Sequence, residues 1–181
     1  NISCANGVGI VGVGSPTDVT IPAIAVSSGT TGNVHIENMT ITAVSNAVSV
    51  AGPATSAKLF VKDVVFNLST GGVTPHANAN TIQVAGTGAV TLENVQFLGH
   101  QRGNLKAPLA TANIINSVLS VSAAADMAVK AAAVRYVGTV IRGAGRANVQ
   151  GATAKADNII GTYTPSGATV TAAAQQYRGK L

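Results

Sequence analysis

Six carboxylates are the side chains of this sequence that could support acid–base chemistry. They are Asp18, Glu37, Asp63, Glu93, Asp126 and Asp157. Hydrolysis of a glycosidic bond generally uses two carboxyl groups that lie roughly 5 to 9.5 Å apart. Stacked repeats would place Asp63 about one strand spacing, roughly 5 Å, from the coils that carry Glu37 and Glu93. The coil that carries Lys62 would separate the two glutamates. The repeat itself accounts for these three acids structurally, so we predict no catalytic residues and a protein that is not an enzyme.

The residues that commonly bind metals and cofactors form no motif. His35, His76 and His100 are dispersed along the chain, and Cys4 is its single cysteine. No spacing typical of a zinc site occurs. The glycine-rich stretches lack the Lys-Ser or Lys-Thr pair of a phosphate-binding loop. We therefore predict no metal and no cofactor.

A repeated pattern of an apolar residue, any residue, Asn or Asp and another apolar residue occurs in three segments. The segments are residues 36–41, 61–66 and 92–97. Looser versions occur near Asn116 and Asn158. Recurrence every 20 to 30 residues is typical of a solenoid, whose units bury their apolar faces by stacking on one another.

The Asn or Asp of each repeat predicts a turn between two short strands. Asn and Asp side chains bond nearby backbone groups, and both residues tolerate left-handed backbone conformations. We therefore expect a structural turn column of Asn38, Asp63 and Asn94. The residues immediately before them, Glu37, Lys62 and Glu93, would form an adjacent outward column of alternating charge.

The composition predicts a thin β structure. Charged residues make up 9% of the chain, aromatic residues 3%, and Trp is absent, although 46% of the residues are hydrophobic. Large aromatic side chains contribute the most burial per residue. A chain with so few of them must fill its interior with many thin layers or share it with other subunits, which favours a narrow solenoid or an oligomer.

Positive charge is concentrated in the second part of the chain. Residues 102–181 contain nine of the 11 Lys and Arg residues but two of the six acids. Such an end can attract an acidic partner surface; the alternative is a solvated face that keeps a protein of low charge soluble. The candidate partner-docking residues are Arg142, Arg146, Arg178 and Lys180. Nucleic acid is a less suitable partner because stacking aromatics are scarce, and no apolar stretch is long enough to predict a membrane helix.

The segments "VHIENMTI", "LFVKDVVF" and "VTLENVQF" resemble the coil repeats of right-handed parallel β-helices of the pectin-lyase-like class. This resemblance implies an all-β fold, a short right-handed parallel β-helix or β-solenoid. We expect an N-terminal cap or docking segment over residues 1–28, the β-helix over 29–170 and a basic tail over 171–181. Residues 101–108 are expected to form a basic loop, while residues 123–137 are compatible with either a short helix or a strand.

A small β-solenoid with low charge and no recognisable active site also resembles a capsid cement or decoration protein of a tailed bacteriophage. That resemblance implies a homotrimer on the outer capsid surface of the virion, with the major capsid protein as its partner. The alternatives are a receptor- or glycan-binding domain of a tailspike or adhesin and, third, a polysaccharide lyase or hydrolase.

Overall fold

The computed structural model describes residues 7–27, 30–42, 46–52, 56–67, 80–98, 103–120, 128–142, 149–150, 153–157, 159–161, 169–170 and 176–177, with side-chain environments up to residue 140. The strands are β1 (Val8–Val11), β2 (Thr20–Ile21), β3 (Ile24–Val26), β4 (Val34–Ile41), β5 (Val48–Val50), β6 (Leu59–Asn67), β7 (Asn80–Val84), β8 (Val90–Glu93), β9 (Gln96–Leu98), β10 (Gly103–Ile115), β11 (Val118–Ser120), β12 (Val129–Val137), β13 (Val140–Arg142), β14 (Val149–Gln150), β15 (Thr153–Asp157), β16 (Ile159–Gly161), β17 (Thr169–Val170) and β18 (Gln176–Tyr177).

The strands pair in parallel, each with a strand about one repeat further along the chain. Equivalent positions of successive coils are occupied by Val8, Val34, Leu59, Val90, Ala112, Val134 and Ala154. This register is that of a parallel β-solenoid, and the part of the chain that the structure describes contains no helix. The fold predicted from the repeat is therefore confirmed as an all-β solenoid.

Each coil has three sides, and the long strands bend between them. β4 pairs with β1 before Asn38 and with β2 after it, so the strand passes from the first side to the second at that residue. On the third side, β5 pairs with β3 of the coil before it and with β7 of the coil after it. The repeated Asn or Asp thus marks a corner between two sides of the coil.

The core is a set of in-register apolar stacks. Phe66 and Phe97 are buried partners on neighbouring strands, and their ring centroids are 4.8 Å apart with an interplanar angle of 11°. In the later coils many inward residues are alanines, including Ala112 and Ala131. Tyr136, the largest fully buried side chain among the described residues, lies on the same strand as Ala131 and adds volume to this alanine-rich part of the core.

In two stretches the structure can be compared directly with the expectation from the sequence. It differs from the expectation in the first and decides between two alternatives in the second. The prediction of a basic loop over residues 101–108 is wrong from Gly103 onward, because β10 begins there and pairs with β7 and β12. Of the stretch 123–137, for which helix and strand were both open, residues 129–137 form β12. Pairing on both sides outweighs the helix propensity of alanine there.

The strands near the chain ends pair with their neighbouring coils. Within residues 1–28, β1, β2 and β3 pair with β4 and β5 and so form the first described coil. Within residues 171–181, β18 pairs with β16.

Candidate functional site

The predicted turn residues occupy equivalent corners of successive coils. Asn38, Asp63 and Asn94 have positive φ angles of 59°, 52° and 52°. Asn116, with φ 47°, and Gly138, with φ 56°, occupy the same corner in the next two coils. Side chains other than those of Asn and Asp are strained in this conformation, which explains why these residue types recur.

Hydrogen bonds between coils connect this column. Asn94 Nδ2 donates to Asp63 Oδ1 at 2.6 Å. Asn38 Nδ2 donates to the carbonyl oxygens of Gly12 and Gly14 at 2.9 and 2.6 Å. The side chains of the turn column therefore bind neighbouring coils of the same chain and have a structural role.

In the later coils, the residue that follows the corner residue has a buried hydroxyl group. Ser117 Oγ accepts from the backbone nitrogen of Val95 at 3.1 Å and donates to the carbonyl of Ile115 at 2.8 Å. One coil further, Thr139 Oγ1 donates to the carbonyl of Ile114 at 3.0 Å. These bonds satisfy polar backbone groups at a buried corner, where leaving them unpaired would be costly.

The expected column of alternating charge is present on the first side. Lys62 is in register with Glu37 on one neighbouring strand and with Glu93 on the other. Lys62 Nζ lies 4.0 Å from Glu93 Oε1, and both side chains are about half exposed. The two glutamates are two strand spacings apart, about 9.5 Å, which is the upper end of the separation for an inverting glycosidase. The Lys62 ammonium group lies between the two glutamates and interacts with Glu93.

A shallow groove runs beside this charged column. His35 and Phe60 stack on neighbouring strands with ring centroids 4.6 Å apart and an interplanar angle of 11°. The groove has a volume of about 130 Å³, and its lining includes the two rings, the charged column and Thr91. Ligand pockets for drug-sized molecules are typically about 300 Å³ or larger. This groove is smaller and could therefore contact only part of such a ligand.

A loop, residues 12–18, follows β1 in the first described coil and is connected by hydrogen bonds within itself and to the next coil. Ser15 N donates to Asp18 Oδ2 at 2.7 Å, and Thr40 Oγ1 donates to the carbonyl of Pro16 at 2.9 Å. Together with the two bonds from Asn38, these contacts fix both ends of the loop. Val13 in this loop is nevertheless 86% exposed, and Val11 just before it is 59% exposed. This apolar projection lies within residues 1–28, the segment expected from the sequence to be an N-terminal cap or docking segment; the exposure of these two particular valines was not predicted.

The predicted docking residues are only partly located. Arg142 ends β13, in register with Ser120 of β11. Arg146, Arg178 and Lys180 lie outside the described residues.

Within the described ranges, no group of three or more His, Cys, Asp or Glu residues is arranged to bind a metal ion, and no helix has the length and apolar character needed to cross a membrane.

Comparison with known proteins gives no relative for this chain: no family model, curated protein or solved structure matches it.

Proposed function

We propose that this chain is a non-enzymatic structural protein, a cement or decoration protein that binds the major capsid protein on the outer surface of a bacteriophage head. The observation that carries the proposal is the pair Val11 and Val13, which are exposed at the end of β1 and on the adjoining loop. Side-chain hydrogen bonds from Asn38 and Thr40 hold this loop against the next coil. Contiguous exposed apolar patches typically mark interaction sites, and Val11 continues β1, whose Val8 and Ile10 are only partly buried. Because the loop is already ordered, binding through it loses little conformational entropy.

The incomplete burial of the first described coil supports the same interpretation. Val8, Ile10, Val19 and Ile21 pack against the core but are only partly buried. Their equivalents in the next coil, such as Val34 and Ile41, are fully buried. A partner surface that covered this coil would bury the remaining apolar area, and a protein bound at many equivalent shell sites would stabilise the assembled shell by mass action.

Cosedimentation with empty capsids, assembled from the major capsid protein of the same genome, tests this function. The wild-type chain should cosediment. Val13→Asp should weaken binding by at least about tenfold, the equivalent of about 1.4 kcal/mol. Asn38→Gly, which keeps the backbone conformation but removes two loop contacts, should also weaken it. Ala51→Asp places the same charge on another exposed position and should bind normally. Capsids that fail to retain the wild-type chain would refute the proposal.

The proposal includes a homotrimer. A narrow solenoid buries less apolar surface per residue than a thick domain, and a threefold interface would add to it. Sedimentation equilibrium should give three times the chain mass of 17.9 kDa. A mass equal to that of a single chain at micromolar concentration would contradict this part of the proposal.

Glycan binding is the second candidate, and the groove beside His35 and Phe60 is the observation that favours it. Lys62 and Glu93 can exchange hydrogen bonds with sugar hydroxyls there, while the ring edges provide apolar contact. A glycan array should then show selective binding that His35→Ala removes.

If incubation with bacterial capsule polymers produced reducing ends, and Glu93→Gln abolished them, the third alternative of polysaccharide cleavage would replace both proposals.

A further inference from the structure

Two lysines lie in register on neighbouring strands of the third side of the solenoid. Lys106 of β10 pairs with Lys130 of β12, and both side chains are half-buried. The next residues of this ladder are neutral, Gln83 on one side and Gln150 on the other. Like charges directly opposite each other on adjacent strands destabilise a sheet. The ladder aligns two positively charged residues between two neutral ones.

A second basic pair lies on the first side of the same coils. Arg135 of β12 is exposed and is in register with Lys155 of β15. The earlier coils show the opposite arrangement, since Lys62 lies between Glu37 and Glu93. The solenoid thus pairs opposite charges in one region and aligns like charges in another.

An apolar projection lies between the two basic pairs. The register of β10 against β12 passes from Ala107 opposite Ala131 to Thr111 opposite Ala133. Residues 108–110 therefore face a single residue of β12, and the chain bulges outward. Leu109 in this bulge is 51% exposed. Bulges of this kind are features that redirect side chains rather than packing errors.

A groove of about 290 Å³ lies on the first side of the same coils. Its lining residues are Thr91, Asn113, Ile115, Arg135 and Val137. Arg135 and Asn113 provide hydrogen-bond donors, whereas Ile115 and Val137 provide apolar contact. These groups suit an acidic side chain, whose carboxylate would meet the guanidinium while its aliphatic part covers the apolar residues.

We propose that Lys106, Leu109, Lys130 and Arg135, together named the basic corner, bind an acidic surface of a partner protein. The positive charge selects acidic groups. The exposed leucine at the centre favours a protein over a nucleic acid, because protein interfaces place apolar residues at the centre and polar residues around them. Identification of that partner as the major capsid protein rests on the proposed function; the acidic character of the partner does not.

The first test measures binding of poly-L-glutamate at low ionic strength, with the full chain. The double variant Lys106→Gln with Lys130→Gln should weaken binding by about tenfold and raise the melting temperature by about 1 °C, because it removes a like-charge pair. Lys58→Gln removes an exposed lysine elsewhere and should leave binding unchanged. Unchanged binding by the double variant, or a lowered melting temperature, would overturn the proposal.

Two further arms distinguish the possible partners. Duplex DNA should bind more weakly than poly-L-glutamate at the same salt concentration; tighter binding to DNA would overturn the choice of a protein partner. Leu109→Ser should reduce cosedimentation with capsids and leave poly-L-glutamate binding intact. If the wild-type chain bound poly-L-glutamate through the two lysines but did not bind capsids, the capsid role would fail and the acidic-partner surface would stand.

Discussion

Left-handed backbone conformations at the corner of the first and second sides determine which residues the repeat can use there. Asn38, Asp63, Asn94 and Asn116 all adopt positive φ angles, and Gly138 continues the series. Two requirements act at this corner: the residue must tolerate the conformation, and its side chain must find a partner on a neighbouring coil. Asn meets both requirements, whereas Gly meets the first alone.

Substitutions of Asn94 separate these two requirements. Asn94→Gly keeps the backbone conformation but loses the bond to Asp63, which should cost about 1 kcal/mol. Asn94→Ala also adds the strain of a left-handed alanine, about 1–2 kcal/mol more. Asp63→Asn retains an acceptor and should be nearly neutral. Urea denaturation of the three variants measures these differences, and equal losses for Gly and Ala would contradict the assignment of strain.

Gly138 is required for a different reason. A Cβ atom at this position would collide with the amide oxygen of Asn116, and its φ of 56° is unfavourable for alanine. Gly138→Ala should therefore destabilise the protein by about 2 kcal/mol. In the Asn116→Gly background the collision disappears, so the cost of the second substitution should fall. A double-mutant cycle from thermal denaturation gives this coupling, and strictly additive effects would rule the collision out.

Individual strands are stabilised by the stacks that they share with neighbouring coils. Phe66 and Phe97 form the aromatic part of one such stack, within an interior otherwise composed mainly of small aliphatic residues. A side chain removed from this stack leaves a cavity between coils that the fixed strand spacing keeps from closing.

Truncation of Phe97 tests the importance of this stack. Phe97→Ala should reduce the free energy of unfolding by about 3–5 kcal/mol. Phe97→Leu retains most of the buried volume and should cost clearly less. Gln96→Ala, at the exposed neighbouring position, is the matched control and should cost little. Guanidinium denaturation provides the measurement, and a loss below about 1 kcal/mol for Phe97→Ala would show that the stack is not important for stability.

The same elements show which features a single sequence reveals. The repeat around Asn38, Asp63 and Asn94 was recognisable because apolar alternation and the turn residue occur together. Gly103 and Lys106 were expected in a loop because Gly, Pro and basic residues are common in loops, but pairing with β7 and β12 extends the strand. The bulge at Leu109 is defined by a change of register between two strands, which has no local signature in the sequence.

At the scale of the whole molecule, each coil contacts mainly the coils before and after it. Stability in such an array is approximately the sum of the terms for single repeats and for their interfaces. The sequence predicted this stacking from the spacing of the repeats. It did not predict that β1, β2 and β3 belong to the stack, because this stretch lacks the Asn or Asp turn and has the loop of residues 12–18 in its place.

Local loss of structure should therefore depend on the coil that is changed. Ile21→Ala, in the first described coil, should increase amide exchange in β2 and in the paired part of β4 and leave β9 and β11 protected. Phe97→Ala should affect amides on both sides of β9. Hydrogen exchange read by mass spectrometry distinguishes the two patterns. A uniform change across all strands in the Ile21 variant would indicate a single cooperative unit instead.

The direction of the bonds between coils has a mechanical consequence. Backbone bonds such as those from Asn94 to Ile115 and from Asn116 to Val137 join one coil to the next, so they run along the length of the stack. Tension applied at the two chain termini would break them one after another, as in the opening of a zipper, and would meet little resistance. Tension applied across the flanks would load many bonds in shear at once, so a molecule that must withstand force is better attached by its sides.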